Sequence, residues 1–224
     1  MMSDIEVEMT FTRLLNSISL IVVVIVFTFS AVEPACAQTV QDVVSLVENH
    51  YGGVKTMTAK VAQKNFLRSM DKTQQFEGTL WIKKPGKLRV DYTNGQVILV
   101  DGKTALFYSK KSEQMVRKTF ADVQEMNVPV AFLLGAAHIR DDFNVLQPDR
   151  KSPRSLELLP KKSGAAMKKL VLVIDEKGRI TNITIFDKFG NTSTITFAGA
   201  QEGTAIDDRL FTFKAPKGTE VIEE

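Results

Sequence analysis

Phe76-Glu-Gly-Thr-Leu-Trp-Ile-Lys-Lys-Pro-Gly-Lys-Leu-Arg-Val-Asp-Tyr92 alternates apolar and polar side chains twice over. Phe76, Gly78, Leu80 and Ile82 take one phase, and Glu77, Thr79, Trp81 and Lys83 the other. Leu88, Val90 and Tyr92 then alternate with Arg89 and Asp91. A period of two puts each set on its own face of a strand.

The same rhythm extends in both directions. Upstream, Met57, Ala59 and Val61 alternate with Thr58, Lys60 and Ala62. Downstream come Val97–Val100, Ala105–Tyr108, Phe143–Leu146, Ser155–Leu159, Lys169–Ile174, Ile180–Phe186, Ser193–Phe197 and Leu210–Phe213. Asn94-Gly95, Asp101-Gly102, Lys177-Gly178 and Gly190-Asn191 supply turns between them. Connections this short make antiparallel meanders, not βαβ crossovers. The expectation is a mainly β (α+β) domain of about nine to eleven strands.

Two stretches carry a helical period. Val40, Val43, Val44, Val47 and Tyr51 recur at helical spacing, with Thr39 as N-cap and Gly52-Gly53 as the stop. His50 falls in the last turn, where a cation is favoured, so it needs no metal to explain it. Within Ala121–Gly135, Asn127-Val-Pro-Val-Ala-Phe-Leu-Leu-Gly135 starts with Asn and Pro, is apolar throughout and stops at Gly. It reads as a helical turn or two, too short to stand without an apolar surface beneath it.

The chain has 224 residues, a mass of 24.9 kDa, 44% hydrophobic residues and 25% charged residues. Those proportions exclude a disordered tail, a multi-span membrane protein and a collagen-like fibre. One Cys excludes a disulfide scaffold, and two His leave little for a multi-His metal centre. A net charge of +3 does not point to nucleic acid.

The N-terminal segment reads as a signal peptide. Arg13 precedes an apolar run centred on Ile18–Phe27, and Ala35-Cys-Ala37 supplies a small-residue cleavage pattern. Asp4, Glu6 and Glu8 are wrong for such a start, whereas Met9 would leave Met-Thr-Phe-Thr-Arg13. Removal after Ala37 would leave residues 38–224 as one Cys-free, more basic domain in an oxidising periplasm. An uncleaved anchor and a lipidated Cys36 are the rival readings. Asn16, Ser17, Ser19, Thr28 and Ser30 dilute the first, and Glu33-Pro34-Ala35 is a poor context for the second.

Chemistry is represented mostly by absences. There is no Gly-x-Ser-x-Gly elbow, His-Glu-x-x-His, Cys-x-x-Cys, P-loop or dinucleotide fingerprint. His138 could act as a base beside Asp141 or Asp142, or be an ordinary loop residue. Asp141-Asp142 and Asp207-Asp208 are adjacent in sequence and would point apart on a strand. What remains is an apolar strand face and an apolar helix. They make either a closed core or a pocket for something greasy.

Here the residues resemble a known family. Gln63, the Phe76–Tyr92 stretch, Leu99-Val-Asp-Gly-Lys103 with Phe107-Tyr108, Asn127–Leu134, Asp187-x-x-Gly-Asn191 and Phe211–Gly218 are similar, in order, to the outer-membrane lipoprotein carrier (LolA) family. The resemblance implies an incomplete antiparallel β-barrel with short helices as a lid over an apolar cavity. It implies a periplasmic, monomeric, non-enzymatic chaperone with no cofactor and no metal. Its partners would be acylated lipoproteins, the inner-membrane ABC transporter LolCDE, and LolB or the outer membrane itself. Met57, Val61, Leu80, Ile82, Leu88 and Val90 would then form the acyl-cavity wall, and Val130, Phe132, Leu133 and Leu134 the lid. The family's functional Arg before Pro is replaced by Lys84, which would latch the lid without the planar fork of Arg. Leu88 occupies the place of a bulky family residue at the transporter-facing entrance. A LolB-like acceptor, a binder of another lipid or glycolipid, and a hydrolase centred on His138 remain alternatives.

Overall fold

The computed structural model describes residues 39–119, 132–135, 138–146, 154–161 and 166–223. Val130 and the possible cleavage site lie outside them. The described elements are α1 (Val40–Gly53), β1 (Thr56–Leu67), β2 (Lys72–Lys83), β3 (Lys87–Tyr92), β4 (Gln96–Asp101), β5 (Thr104–Ser109), β6 (Gln114–Thr119), α2 (Phe132–Gly135), α3 (Ile139–Asp142), β7 (Phe143–Leu146), β8 (Ser155–Pro160), β9 (Met167–Ile174), β10 (Ile180–Asp187), β11 (Thr192–Glu202) and β12 (Glu220–Glu223).

Twelve strands form one open sheet in the order β12-β6-β5-β4-β3-β2-β1-β11-β10-β9-β8-β7. The expected open, antiparallel, mainly β architecture is therefore present, with three corrections. Gln114–Thr119 is a strand, although Arg117-Lys118-Thr119 obscures its alternation. Leu210–Phe213 is not one. Asp208–Phe211 is a 3-10 turn, because the Asp207 carboxylate caps it by accepting from Arg209 N at 2.8 Å. Finally, β12 runs parallel to β6, the one parallel pairing among the described residues.

The sheet has two non-equivalent faces. Pairings Met57–Ile82, Leu80–Val90 and Leu88–Val100 place these side chains on one inner face. Gly78 permits the tight spacing there, since a Cβ at that point would lie 2.5 Å from Asp91 O. The inner face joins Val43, Val44, Val47 and Tyr51 of α1 in one continuous buried cluster. A smaller outer cluster of Leu99, Leu106 and Met115 is covered by Phe213 and Ala215 near the C-terminus.

β6 lies next to one end of the sheet, while β7, its successor, is the far edge. Between β6 and β7 in the chain, Leu133 of α2 and Ile139 of α3 are buried in the inner-face cluster.

Candidate functional site: the covered apolar face

Helices α1, α2 and α3 each bury side chains against the inner face, and α1 and α2 are held differently. α1 begins with a capping box, in which Thr39 Oγ1 accepts from Asp42 N at 3.2 Å and Asp42 Oδ2 accepts from Thr39 N at 2.9 Å. Its apolar stripe faces the sheet, and its rim is tied by side chains. Lys84 Nζ donates to Tyr51 O at 2.6 Å. Tyr51 Oη accepts from Ile180 N at 3.1 Å. His50 Nε2 lies 2.8 Å from Glu202 Oε1. At Gly178, with φ +80°, the β9–β10 turn presses so closely on the helix that a Cβ would lie 2.6 Å from Leu46 O.

The other rim of α1 is gripped by Arg140. Its guanidinium pairs with Glu48 and donates to Ser45 Oγ at 2.7 Å and to Gln41 O at 3.0 Å. Arg140 N also donates to Glu48 Oε1 at 3.0 Å, and Lys161 Nζ donates to Arg140 O at 2.6 Å. One planar fork thus spans two turns of α1, which an ammonium could not do.

α2 is held by apolar contact alone among the described residues. Leu133 is buried in the cluster, and Phe132 and Leu134 pack against it half-buried. Phe132 meets Phe143 edge-on with centroids 5.9 Å apart. A four-residue helix with one fully buried side chain has little intrinsic stability of its own.

All six expected wall residues, Met57, Val61, Leu80, Ile82, Leu88 and Val90, fall on the inner face and are buried in one cluster. Phe132, Leu133 and Leu134 lie over that cluster. Lys84 does aim inward at the rim, but its bond goes to the C-terminal end of α1 and not to α2. Burial lowers the pKa of its ammonium. The residues of this face are buried. Two open hollows border the described residues: about 460 Å3 around Lys60, Val61, Gly78, Asp91 and Tyr92, and about 690 Å3 beside His50, Val54, Glu202 and Gly203.

The apolar wall ends in a polar band. Tyr92 Oη donates to Gln63 Oε1, and Gln63 Nε2 donates to Asn65 Oδ1 at 2.9 Å. Ser193 Oγ donates to the same Asn65 oxygen at 2.7 Å. Burial pushes the Tyr92 and Tyr51 hydroxyls up to about 12. This arrangement can hold an apolar chain beneath a polar rung; it offers no matched acid and base. His138 and Asp141 are exposed, 3.5 Å apart. Among the described residues no His/Cys/Asp/Glu group could hold a metal ion, and no helix is long and apolar enough to cross a membrane.

Arg140 and Tyr51 escaped the sequence reading as functional residues. Arg140 sits 92 and 99 positions from Glu48 and Gln41, so no local spacing pairs them.

Residues 52–214 match the family model described as outer membrane lipoprotein carrier protein LolA. An outer-membrane lipoprotein carrier protein of Methylococcus capsulatus is 27% identical over 80% of this chain and 87% of its own. One from Pseudomonas putida is 28% identical over 84% of this chain and 89% of its own. Among solved structures, a LolA superfamily protein from Nitrosomonas europaea aligns with a TM-score of 0.45 and 14% identity, covering 78% of this chain and 98% of that one.

Proposed function

The chain belongs to the LolA family of outer membrane lipoprotein carrier proteins, and from that premise we propose that it is a periplasmic chaperone. It accepts the acyl chains of lipoproteins leaving the inner membrane and carries them to the outer membrane. In this reading residues 1–37 are the export signal, LolCDE is the donor, and a LolB-type receptor or the outer membrane is the acceptor. The protein acts as a binder and not as a catalyst.

One observation carries the reading. An extensive apolar face is covered in part by α2, a four-residue helix that meets it through Phe132, Leu133 and Leu134. Displacing α2 would open the inner cluster around Leu133 to an incoming acyl chain. The energetics favour a resting form whose apolar face is covered. Burying acyl chain from water is worth about 0.8 kcal/mol per methylene. Several long chains would exceed the roughly 20 kcal/mol at which non-covalent affinity saturates. A carrier that realised all of it would never release its cargo. Opening a packed interior costs part of that gain, so transfer between membranes stays near balance. ATP hydrolysed at the donor then supplies direction.

The test is recovery of the protein from periplasm, followed by mass spectrometry of what accompanies it. Acylated proteins are expected with the wild type. Phe132→Glu, at a half-buried position, is expected to keep the fold and lose them at least tenfold. Absence of acylated proteins from the wild type, or normal loading of a folded Phe132→Glu, would overturn the assignment. The mass of the N-terminus separates a soluble carrier from a lipid-modified acceptor.

A further inference from the structure

The β1–β2 hairpin is longer than its apolar alternation. Lys64–Leu67 pairs with Lys72–Gln75 beyond the core strands. At its end stand Arg68–Met70 and Asp71, the last with φ +46°. The β10–β11 hairpin ends beside it, because β1 pairs with β11 up to Phe66–Thr192. Arg68 N donates to Asn191 Oδ1 at 3.0 Å, and the Arg68 stem lies across the backbone of Gly190. The two tips are thus one surface feature.

That feature carries two large apolar side chains in water. Phe189 is 77% exposed and Met70 66% exposed. Around them stand Lys64, Arg68, Lys72 and Lys188, all exposed and in no ion pair among the described residues. The nearby acids are Asp71 and Asp187. Asp187 is consumed by its own turn, accepting from Phe189 N at 2.9 Å, Asn191 N at 2.8 Å and Asn191 Nδ2 at 2.7 Å. No packing or hydrogen-bonding need explains an aromatic ring at that position.

We propose that the paired tips are a docking site for an anionic phospholipid bilayer, a property beyond the carrier function and independent of it. Phe189 and Met70 enter the boundary between headgroups and acyl chains. Arg68, Lys72, Lys188 and Lys64 meet lipid phosphates. Apolar side chains ringed by uncompensated cations are what such an interface selects. A basic residue close to a charged membrane surface raises partitioning about fivefold.

The test is flotation with phosphatidylglycerol/phosphatidylcholine vesicles and with phosphatidylcholine vesicles, using protein recovered from the periplasm. Binding is expected only with phosphatidylglycerol and should fall at high salt. Met70→Ser with Phe189→Ser is expected to reduce it roughly tenfold. Lys72→Glu with Lys188→Glu should reduce it further, and neither pair touches the core. Phe189→Trp in a Trp81→Phe background localises the contact. Its emission should shift to the blue and be quenched by brominated acyl chains. An unshifted Trp at 189, equal binding to both vesicle types, or undiminished flotation of the serine pair would overturn the proposal.

Discussion

Strand β5 separates two apolar surfaces one residue at a time. Ala105 and Phe107 face the large inner cluster; Leu106 and Tyr108 face the small outer one. Both surfaces are covered, but the covers are attached differently. The outer cover is stitched to the sheet. β12 adds a parallel ladder to β6, Arg89 Nη1 donates to Leu210 O at 2.8 Å, and Lys83 Nζ donates to Ile206 O at 3.0 Å. Tyr108 and Phe213 close it with ring centroids 5.0 Å apart. The inner cover rests on the sheet through apolar side chains and a few rim bonds. Water can replace rim bonds cheaply, whereas a strand ladder breaks only as a unit. Under the proposed function the inner face is the one that opens, and the outer one is structural.

The largest way to break this comparison is Leu80→Glu. An unpaired carboxylate in the inner cluster costs several kcal/mol, enough to unfold a domain of ordinary stability. Circular dichroism should show the variant unfolded or with a strongly lowered Tm. A stably folded Leu80→Glu would mean that water already reaches the inner face.

The second effect is alkaline. Tyr51 and Tyr92 both have hydroxyls raised to about 12 by burial on the inner side. A raised tyrosine pKa gives stability that is intact below the unfolded value near 10 and lost as pH climbs towards 12. Each tyrosine then removes about 2–3 kcal/mol by linkage. Denaturant melts between pH 9 and pH 12 should show this fall, and Tyr92→Phe should flatten it. An unchanged slope in Tyr92→Phe would show that Tyr92 is not what titrates.

The smallest effect tests the latch. Hydrogen bonds to charged groups are worth about 1.5–3 kcal/mol, and half-buried Lys84 belongs at the low end. Lys84→Met keeps the stem and removes the ammonium. Amide hydrogen exchange should quicken in the last turn of α1 and stay constant in β12. Equal change in both would dissolve the distinction between the covers. Release of cargo should also be altered more than capture.

Much of this fold is legible in the sequence because burial writes a period of two. The Phe76–Tyr92 stretch shows it in full, and its inner residues are those the structure buries. The reading fails where burial is weak or partners are remote. Gln114–Thr119 has charged side chains on a strand near the edge, so its alternation is faint. Leu210–Phe213 has apolar residues because it covers the outer cluster, not because it is a strand. The six wall residues and Leu133 are legible as apolar positions. The way the cover is tied is not, since Lys84–Tyr51 and Arg140–Glu48 depend on tertiary approach. Lys84 was readable as an inward rim cation; that it holds α1 was not.

The most direct test uses the two neighbours on β5. A photoreactive benzoylphenylalanine is placed at position 107 or at position 108, and living cells are irradiated. The account predicts that an acylated lipoprotein crosslinks to position 107 and not to position 108. Equal yields at both positions, or none at 107 while the protein still carries lipoprotein, would contradict it.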